Sequence, residues 1–392
     1  MVKEKLSQTP QILDDLGIDC WMVIDQESGV LSDPIMEIIV GTGVTWLSFF
    51  LVFRTGETHA LVGNLDGEKF QRLELFDHIH TYKDSPRQAL LQILNAHNPS
   101  RIALNYSMDS AAADGLTHGK FLKLQQLLEG TPYIDRWVSA EPVISALRGR
   151  KSPEEIRRIQ KAIDITLKIY DQVVLRVRPG WTEIEVAEMI TQERVKLGLE
   201  PAWEEDHCPS VFAGPQETGA HSGPTNRVLE RGQVFNTDFG VRVEGYCSDL
   251  QRTWYLLGEN ETEAPAAVIH GFDTIVNSIR IAFEKMKPGV CGLDIDTATR
   301  EYIKSRGYSE FPHALGHQVG RYAHDGGPLL APAWERYGEL PLLPLEAGQV
   351  FTIEPRLYLE TQGVVTIEEM VQITSDGARW LSKPQTELYL IP

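Results

Sequence analysis

The hydrophobic and polar positions of this 392-residue chain follow two different patterns. Up to about residue 145, short apolar runs alternate with stretches of helical period. Residues 20–24, 46–53, 59–62 and 101–104 read as strands, and 86–96 and 120–128 as helices. Beyond residue 153 the pattern changes to long amphipathic helices followed by paired runs rich in β-branched and aromatic residues. The change falls at Ala146-Leu147-Arg148-Gly149-Arg150-Lys151-Ser152-Pro153. There Ser152 reads as an N-cap, Pro153 fits the first helical position, and Glu154 and Glu155 oppose the helix dipole. Residues 1–148 are therefore expected to form an α/β domain, and 149–392 a second domain of α+β type.

In the second region, helices are predicted at 153–176 and 182–197, the latter opened by a capping box, Thr182 with Glu185. From Gly232 to Trp254 the sequence reads as a β-hairpin turning at Glu244-Gly245. With those two residues as the loop, Val243 faces Tyr246 and Asp249 lies opposite Gly240. Asp238 and Asp249 then become diagonal neighbours on one face. The opening of this hairpin recurs 116 residues later: Gly232-Gln233-Val234-Phe235 leads to Asp238, and Gly348-Gln349-Val350-Phe351 leads to Glu354. A second echo matches Arg178-Pro179-Gly180 and Gly198 to Lys287-Pro288-Gly289 and Gly307. Residues 155–375 are accordingly expected to be two copies of a helix-helix-hairpin unit about a pseudo-twofold axis, the second with helices near 264–286 and 293–305. With Glu360, Thr361 and Gln362 as the second loop, Leu359 faces Gly363 and Glu354 lies opposite Glu368.

Charge narrows the partners. A formal net charge of -18 argues against nucleic acid or an anionic membrane, each of which requires a basic face. The most apolar run, 46–53, is too short to span a bilayer, and MVKEKLSQTP has no apolar signal core. A cytoplasmic protein is the expectation. Cys20, Cys208, Cys247 and Cys291 are widely spaced without a CxxC pair, so four reduced thiols are expected. His59, His78, His80, His97 and His118 show no metal-ligand spacing, although His78 and His80 would share a strand face.

The chemistry lies in the converging acids. Carboxylates held side by side repel unless a cation or a shared proton compensates. Between the second pair of helices and the second hairpin lies the stretch 312–327, with His313, His317 and His324. Read as a helix it puts His313 and His317 on one face, but Gly316 and Gly320 argue against that; read as a strand it also aligns them. Four carboxylates with an imidazole are too rich in oxygen for a structural zinc site and suit manganese, iron, cobalt or a catalytic zinc pair. Four negative charges exceed the need of one divalent ion, so two are implied. Singly, each residue has a plainer reading: a strand carboxylate is usually solvated, Asp249 could pair with Arg252, and a lone histidine such as His221 is usually at the surface. The joint pattern carries the assignment, and His207 and His270 stay outside it.

In order along the chain, Asn236-Thr237-Asp238-Phe239-Gly240, Tyr246-Cys247-Ser248-Asp249 with Arg252-Thr253, the His313/His317/His324 stretch, Thr352-Ile353-Glu354-Pro355 and Ile367-Glu368-Glu369 resemble the motifs of the pita-bread metallopeptidases. Residues 1–148 resemble the N-terminal domain of its prolidase, aminopeptidase P and creatinase branch, not methionine aminopeptidase. The resemblance implies an α/β N-terminal domain, a pita-bread catalytic domain, and a hydrolase cleaving X-Pro bonds as a dipeptidase or aminopeptidase. It implies two divalent ions, manganese first, with cobalt, zinc or iron as alternatives. Asp238 would chelate one ion, Asp249 and Glu368 would bridge both, and His317 and Glu354 would complete the other. Ions so held acidify bound water, and Glu354 would shuttle a proton to the leaving nitrogen. His221 and His324 would contact substrate, and His313 would line the proline pocket. A small peptide is the expected partner, and a homodimer the expected assembly. Thr366 stands where X-prolyl enzymes usually have Arg, Arg356 where Gly usually follows Glu-Pro, and Ala314 replaces a usual Gly. By the hairpin count Arg356 faces Thr366, so the guanidinium returns from the opposite strand, as a substrate-binding candidate. These departures leave room for a same-fold enzyme acting on a small amide or related compound, or for a catalytically silent binding protein.

Overall fold

The computed structural model describes residues 1–215 and 223–392. They divide into two compact units, Met1–Arg148 and Gly149–Pro392. No helix among the described residues is long and apolar enough to cross a membrane.

The first unit holds helices α1 (Val2–Asp15), α2 (Met36–Ile39), α3 (Asn64–Leu73), α4 (Arg87–His97) and α5 (His118–Leu128), with α6 (Glu141–Gly149) at its end. Its strands are β1 (Cys20–Asp25), β2 (Ser48–Phe53), β3 (Thr58–Gly63), β4 (His78–Tyr82), β5 (Ile102–Leu104) and β6 (Trp137–Ser139), in the sheet order β4-β3-β2-β1-β5-β6. The β1/β2 and β2/β3 pairs are antiparallel and the others parallel. Every residue of β1, β2 and β3 is buried, because the sheet is covered on both faces, as their continuous apolar runs require. Alternation sorts the two sides. Trp21, Val23, Phe50 and Val62 pack with Ile12, Ile39, Phe70 and Ile144 of α1, α2, α3 and α6. Met22, Ile24, Leu51 and Leu61 pack with Leu90, Leu94, Leu124 and Leu128 of α4 and α5. Helices α1, α2, α3 and α6 and the strands β4 and β6 are additions to the sequence reading; β4 is polar and half-exposed, so it carries no apolar run.

The second unit repeats one order of elements. Helices α7 (Pro153–Arg176) and α8 (Glu183–Lys196) lead to β7 (Glu200–Pro201), β8 (Ser210–Ala213), β9 (Val234–Phe239), β10 (Val241–Val243), β11 (Tyr246–Cys247) and β12 (Leu250–Leu256). Helices α9 (Ala266–Lys285) and α10 (Gly292–Ser305) lead to β13 (Val350–Ile353), β14 (Arg356–Leu359), β15 (Gly363–Thr366) and β16 (Glu369–Ile373), followed by β17 (Ala378–Trp380) and β18 (Tyr389–Ile391). Ser152 and Thr182 cap α7 and α8 through complete capping boxes with Glu155 and Glu185. The echoed glycines share a cause: Gly180 and Gly289, Gly198 and Gly307, and Gly232 and Gly348 all have positive φ, which side chains rarely tolerate. Val268, Phe272 and Ile275 of α9 and Ile295 and Ile303 of α10 pack with Phe351, Ile353, Val365 and Val371 into the core of this unit.

Both hairpins keep the predicted register. Val243 pairs with Tyr246, and Asp238 with Gln251; Leu359 pairs with Gly363, Arg356 with Thr366, and Ile353 with Glu369. Each ladder is interrupted near its acids, at Gly240 and Ser248-Asp249 in the first and at Glu354-Pro355 and Ile367-Glu368 in the second. A Cβ on Gly240 would lie 1.9 Å from the Ser248 carbonyl oxygen, and Pro355 has no N–H to give to a ladder.

Candidate metal centre

Asp238 is held in β9, Asp249 just before β12, and Glu354 and Glu368 at the break between β13/β16 and β14/β15. The strand parity that fixes one side chain fixes all four toward one cavity of 350 Å³. Its walls include Asp238, Asp249, His313, His317, His324, Glu354 and Glu368, with Trp203, Glu204, His207 and Tyr337. A narrow recess of 20 Å³ continues past Asp238, His313 and Glu354 to Gln251, Arg356 and Thr366.

The stretch 312–327 is neither of the two regular forms considered for it. It runs through isolated bridges, Gly316 to Leu330 and Gln318 to Phe351. The glycines are needed for close approach: a Cβ on Gly316 would lie 2.1 Å from the Thr352 carbonyl oxygen, and one on Gly320 would lie 2.0 Å from Asp325 Oδ2. The outcome still delivers His317. Its Nε2 lies 3.4 Å from Glu354 Oε1 and 3.7 Å from Asp249 Oδ2. Its backbone N–H donates to Thr352 Oγ1, 3.1 Å, and its Nδ1 faces the Gln318 carbonyl at 3.4 Å. A carbonyl only accepts, so the Nδ1–H donates and the Nε2 lone pair is left for the acids, the orientation a ligating histidine needs. The His324 ring meets the His317 ring edge-on, centroids 4.2 Å apart.

Electrostatics set this cluster apart from a solvated group of acids. Burial pushes the Asp238 carboxyl up to about 7. Asp249, Glu354 and Glu368 are pushed well above the carboxylate range, by burial first and then by the charge of neighbouring acids, Asp238 among them in each case. The nearby arginine on β12 does not relieve them. Arg252 does not pair with Asp249, correcting that plain reading, because alternation along β12 turns it to the other side. It lies 3.1 Å from Glu369 and donates to the Glu368 carbonyl, 3.0 Å. Asp238 Oδ1 and Glu368 Oε2 are buried with no hydrogen-bond partner among the described residues. Buried charge is stable only when paired or ligating metal. Ligand atoms of Asp249, His317 and Glu368 lie within 4.8 Å of one another. Five donors, four of them anionic oxygens, fit divalent cations that prefer oxygen with some nitrogen.

His313 is placed at the junction of cavity and recess. Its Nδ1 donates to the Ala314 carbonyl, 2.8 Å, and its Nε2 is buried without a partner among the described residues. Burial foremost lowers its pKa to about 4, so the ring is neutral and Nε2 is an acceptor. Arg356 opens on the recess. His221 lies outside the described residues. His270 contacts Tyr308 and Arg306, not the cavity walls. Three cysteines are buried and Cys291 partly so, and all four are free.

Gln251 was missed in the sequence, although the hairpin count contained it: it pairs with Asp238 and stands two residues from Asp249. Its Nε2 lies 3.4 Å from Asp238 Oδ2 and 3.5 Å from Glu354 Oε2, while its Oε1 accepts from Thr366 Oγ1, 2.8 Å. Thr366 thus aims the Gln251 amide at the acids. Trp203, Glu204 and His207 reach the cavity from irregular segments and Tyr337 from a single 3-10 turn, Glu335–Tyr337, where spacing carries no signal; His207, set outside the assignment in the sequence, thus lines the cavity.

Known proteins share this arrangement of chain. A family model, Metallopeptidase family M24, matches residues 157–375. The Xaa-Pro dipeptidase of Pyrococcus furiosus is 32% identical over 250 residues, 63% of this chain and 67% of that protein. In fold, an Xaa-Pro dipeptidase from Bacillus anthracis superposes with a TM-score of 0.74 at 21% identity over the whole of both chains. An X-Pro aminopeptidase from Thermotoga maritima does so at 0.69 and 24%, over 99% of each. With more than half of its length matched by the family model, the chain belongs to metallopeptidase family M24, the pita-bread family, beside its X-prolyl members.

Proposed function

We propose that the chain hydrolyses the peptide bond preceding proline in short peptides, with two divalent ions held by Asp238, Asp249, His317, Glu354 and Glu368. The observation carrying this reading is the convergence of four buried carboxylates and one correctly oriented imidazole on one cavity, two of the carboxylate oxygens lacking a partner among the described residues. The names of the X-prolyl relatives support the substrate class. Bound ions of this kind polarise a carbonyl and lower the pKa of water. The protein's own groups do the rest. Asp238, Asp249, His317, Glu354 and Glu368 would hold the ions between them. Glu354 accepts a proton and delivers it to the departing proline nitrogen, steadied by the Gln251 amide. His313 offers Nε2 to the substrate at the mouth of the recess, His324 contacts the substrate from the cavity side, His221 is kept as a substrate contact by resemblance alone, and Arg356 takes a substrate carboxylate or orients an acid. Manganese as the working ion, a creatinase-like N-terminal domain over 1–148, a homodimer and a cytoplasmic setting complete the reading.

The deciding experiment strips the protein with chelator and reloads it with manganese, cobalt, zinc or iron. Each form is then assayed on X-Pro dipeptides and on longer X-Pro-Y peptides. Cleavage of dipeptides alone identifies a dipeptidase, and cleavage of the longer series an aminopeptidase. No hydrolysis of either with any metal would sink the proposal.

A further inference from the structure

The N-terminal unit gathers a second set of metal-binding side chains that its sequence spacing does not reveal. Parallel pairing of β3 and β4 sets His59 directly beside His78, and the two-residue period of β4 brings His80 to the same face. Glu57 comes from the turn before β3, and His97 is the last residue of α4. A single oxygen, Glu57 Oε1, is faced by three imidazole nitrogens: His78 Nε2 at 3.0 Å, His59 Nε2 at 3.1 Å and His97 Nε2 at 3.6 Å. Around a tetrahedral zinc with bonds near 2.0 Å, ligand atoms stand about 3.3 Å apart, so these separations fit ligands around one ion as well as they fit hydrogen bonds. Ligand atoms of Glu57, His59 and His78 all lie within 4.8 Å of one another.

The surroundings hold the rings in place. His59 Nδ1 lies 3.1 Å from His80 Nε2, a contact that holds the ring and, with Nδ1 as the donor, leaves the Nε2 lone pair for an ion, as partners of ligating histidines do. The His97 ring stacks on Phe53, centroids 3.8 Å apart, at the C-terminal end of α4, where the helix dipole favours a cation.

We propose that Glu57, His59 and His78, with His97 alongside, form a zinc-type divalent metal site separate from the carboxylate centre. Imidazole-rich donors with one carboxylate favour zinc, nickel or copper, whereas the oxygen-rich C-terminal set suits manganese. An ion there ties the half-exposed edge strand β4 to β3 and the end of α4.

The test uses the full-length chain with its carboxylate centre disabled by Asp249→Ala and Glu368→Ala, freed of metal by chelator and titrated with zinc in a calorimeter. One equivalent of zinc is expected to bind, and to be lost on adding Glu57→Gln and His78→Ala. Those two side chains are 39% and 50% exposed, so the fold tolerates the change, as circular dichroism will verify. In the chain with an intact carboxylate centre, the same pair should lower bound zinc by one equivalent. Absence of zinc uptake by the disabled chain, or uptake that survives Glu57→Gln with His78→Ala, overturns the proposal.

Discussion

Gln251 and Arg252 are neighbours on β12 with opposite duties: the amide faces the acids, and the guanidinium locks Glu369 and the Glu368 backbone behind them. Gln251→Leu removes an amide that touches both Asp238 and Glu354, and should cost about 10- to 100-fold in metal affinity or kcat/KM; unchanged values would show the contact to be incidental. Asp249→Asn should abolish activity and reduce bound metal. Its effect on stability should change sign with metal: the loaded variant unfolds below wild type, whereas after chelation it unfolds above it, because one of four mutually repelling carboxylates is gone. A gain of ~1 kcal/mol corresponds to about 2–4 °C for a unit of this size, within reach of calorimetry. Arg356 is the departure to probe at the recess. Lysine cannot reproduce its fork, so Arg356→Lys should lose about tenfold in kcat/KM, ~1.4 kcal/mol, with metals retained. Arg356→Gly with Thr366→Arg restores activity if the guanidinium is what matters. Thr366 also aims Gln251, however, so the swap carries a cost of its own, which Thr366→Ser measures separately.

At the level of elements, the hairpins were legible because a two-residue period leaves no freedom once the loop is chosen: Val243 opposite Tyr246 implies Asp238 opposite Gln251. The interruptions at the acids were not legible, since they depend on tertiary approach. Gly316 illustrates the limit. Its residue type argued against a helix, but the reason, the Thr352 carbonyl 2.1 Å from where a Cβ would sit, belongs to a strand 36 residues away in sequence. The two kinds of glycine should respond differently. Gly289→Ala meets no atom within 4 Å but sits at φ +86, so it should cost about 1–2 kcal/mol from backbone strain alone. Gly316→Ala must displace backbone beside His317 and should cost about 1–3 kcal/mol by crowding together with a loss of metal. Equal metal binding in the two variants would refute this division. The shared face of His78 and His80 was legible from spacing, but their meeting with His59, His97 and Glu57 was not, for the same reason as the Gly316 contact: it depends on a parallel pairing that no local spacing encodes.

For the whole molecule, the sequence boundary near 149 rested on one helix start, and the compact units meet at Arg148 and Gly149. The core built from α9, α10 and the strands from β9 to β16 uses residues of the second unit alone, as do all five candidate ligands. A chain of residues 149–392 should therefore bind the same number of manganese ions as the full-length protein. A ligand that binds only the folded state stabilises it by about 4 kcal/mol at a thousand times its Kd, or roughly 8–16 °C for a unit of this size. Two units with separate cores are expected to unfold in two transitions. Manganese should raise the transition that the 149–392 chain reproduces and leave the other in place, and chelator should reverse the shift. A single transition that manganese moves as a whole, or a folded 149–392 chain that takes up no metal, would mean that the carboxylate centre is completed by residues before Gly149.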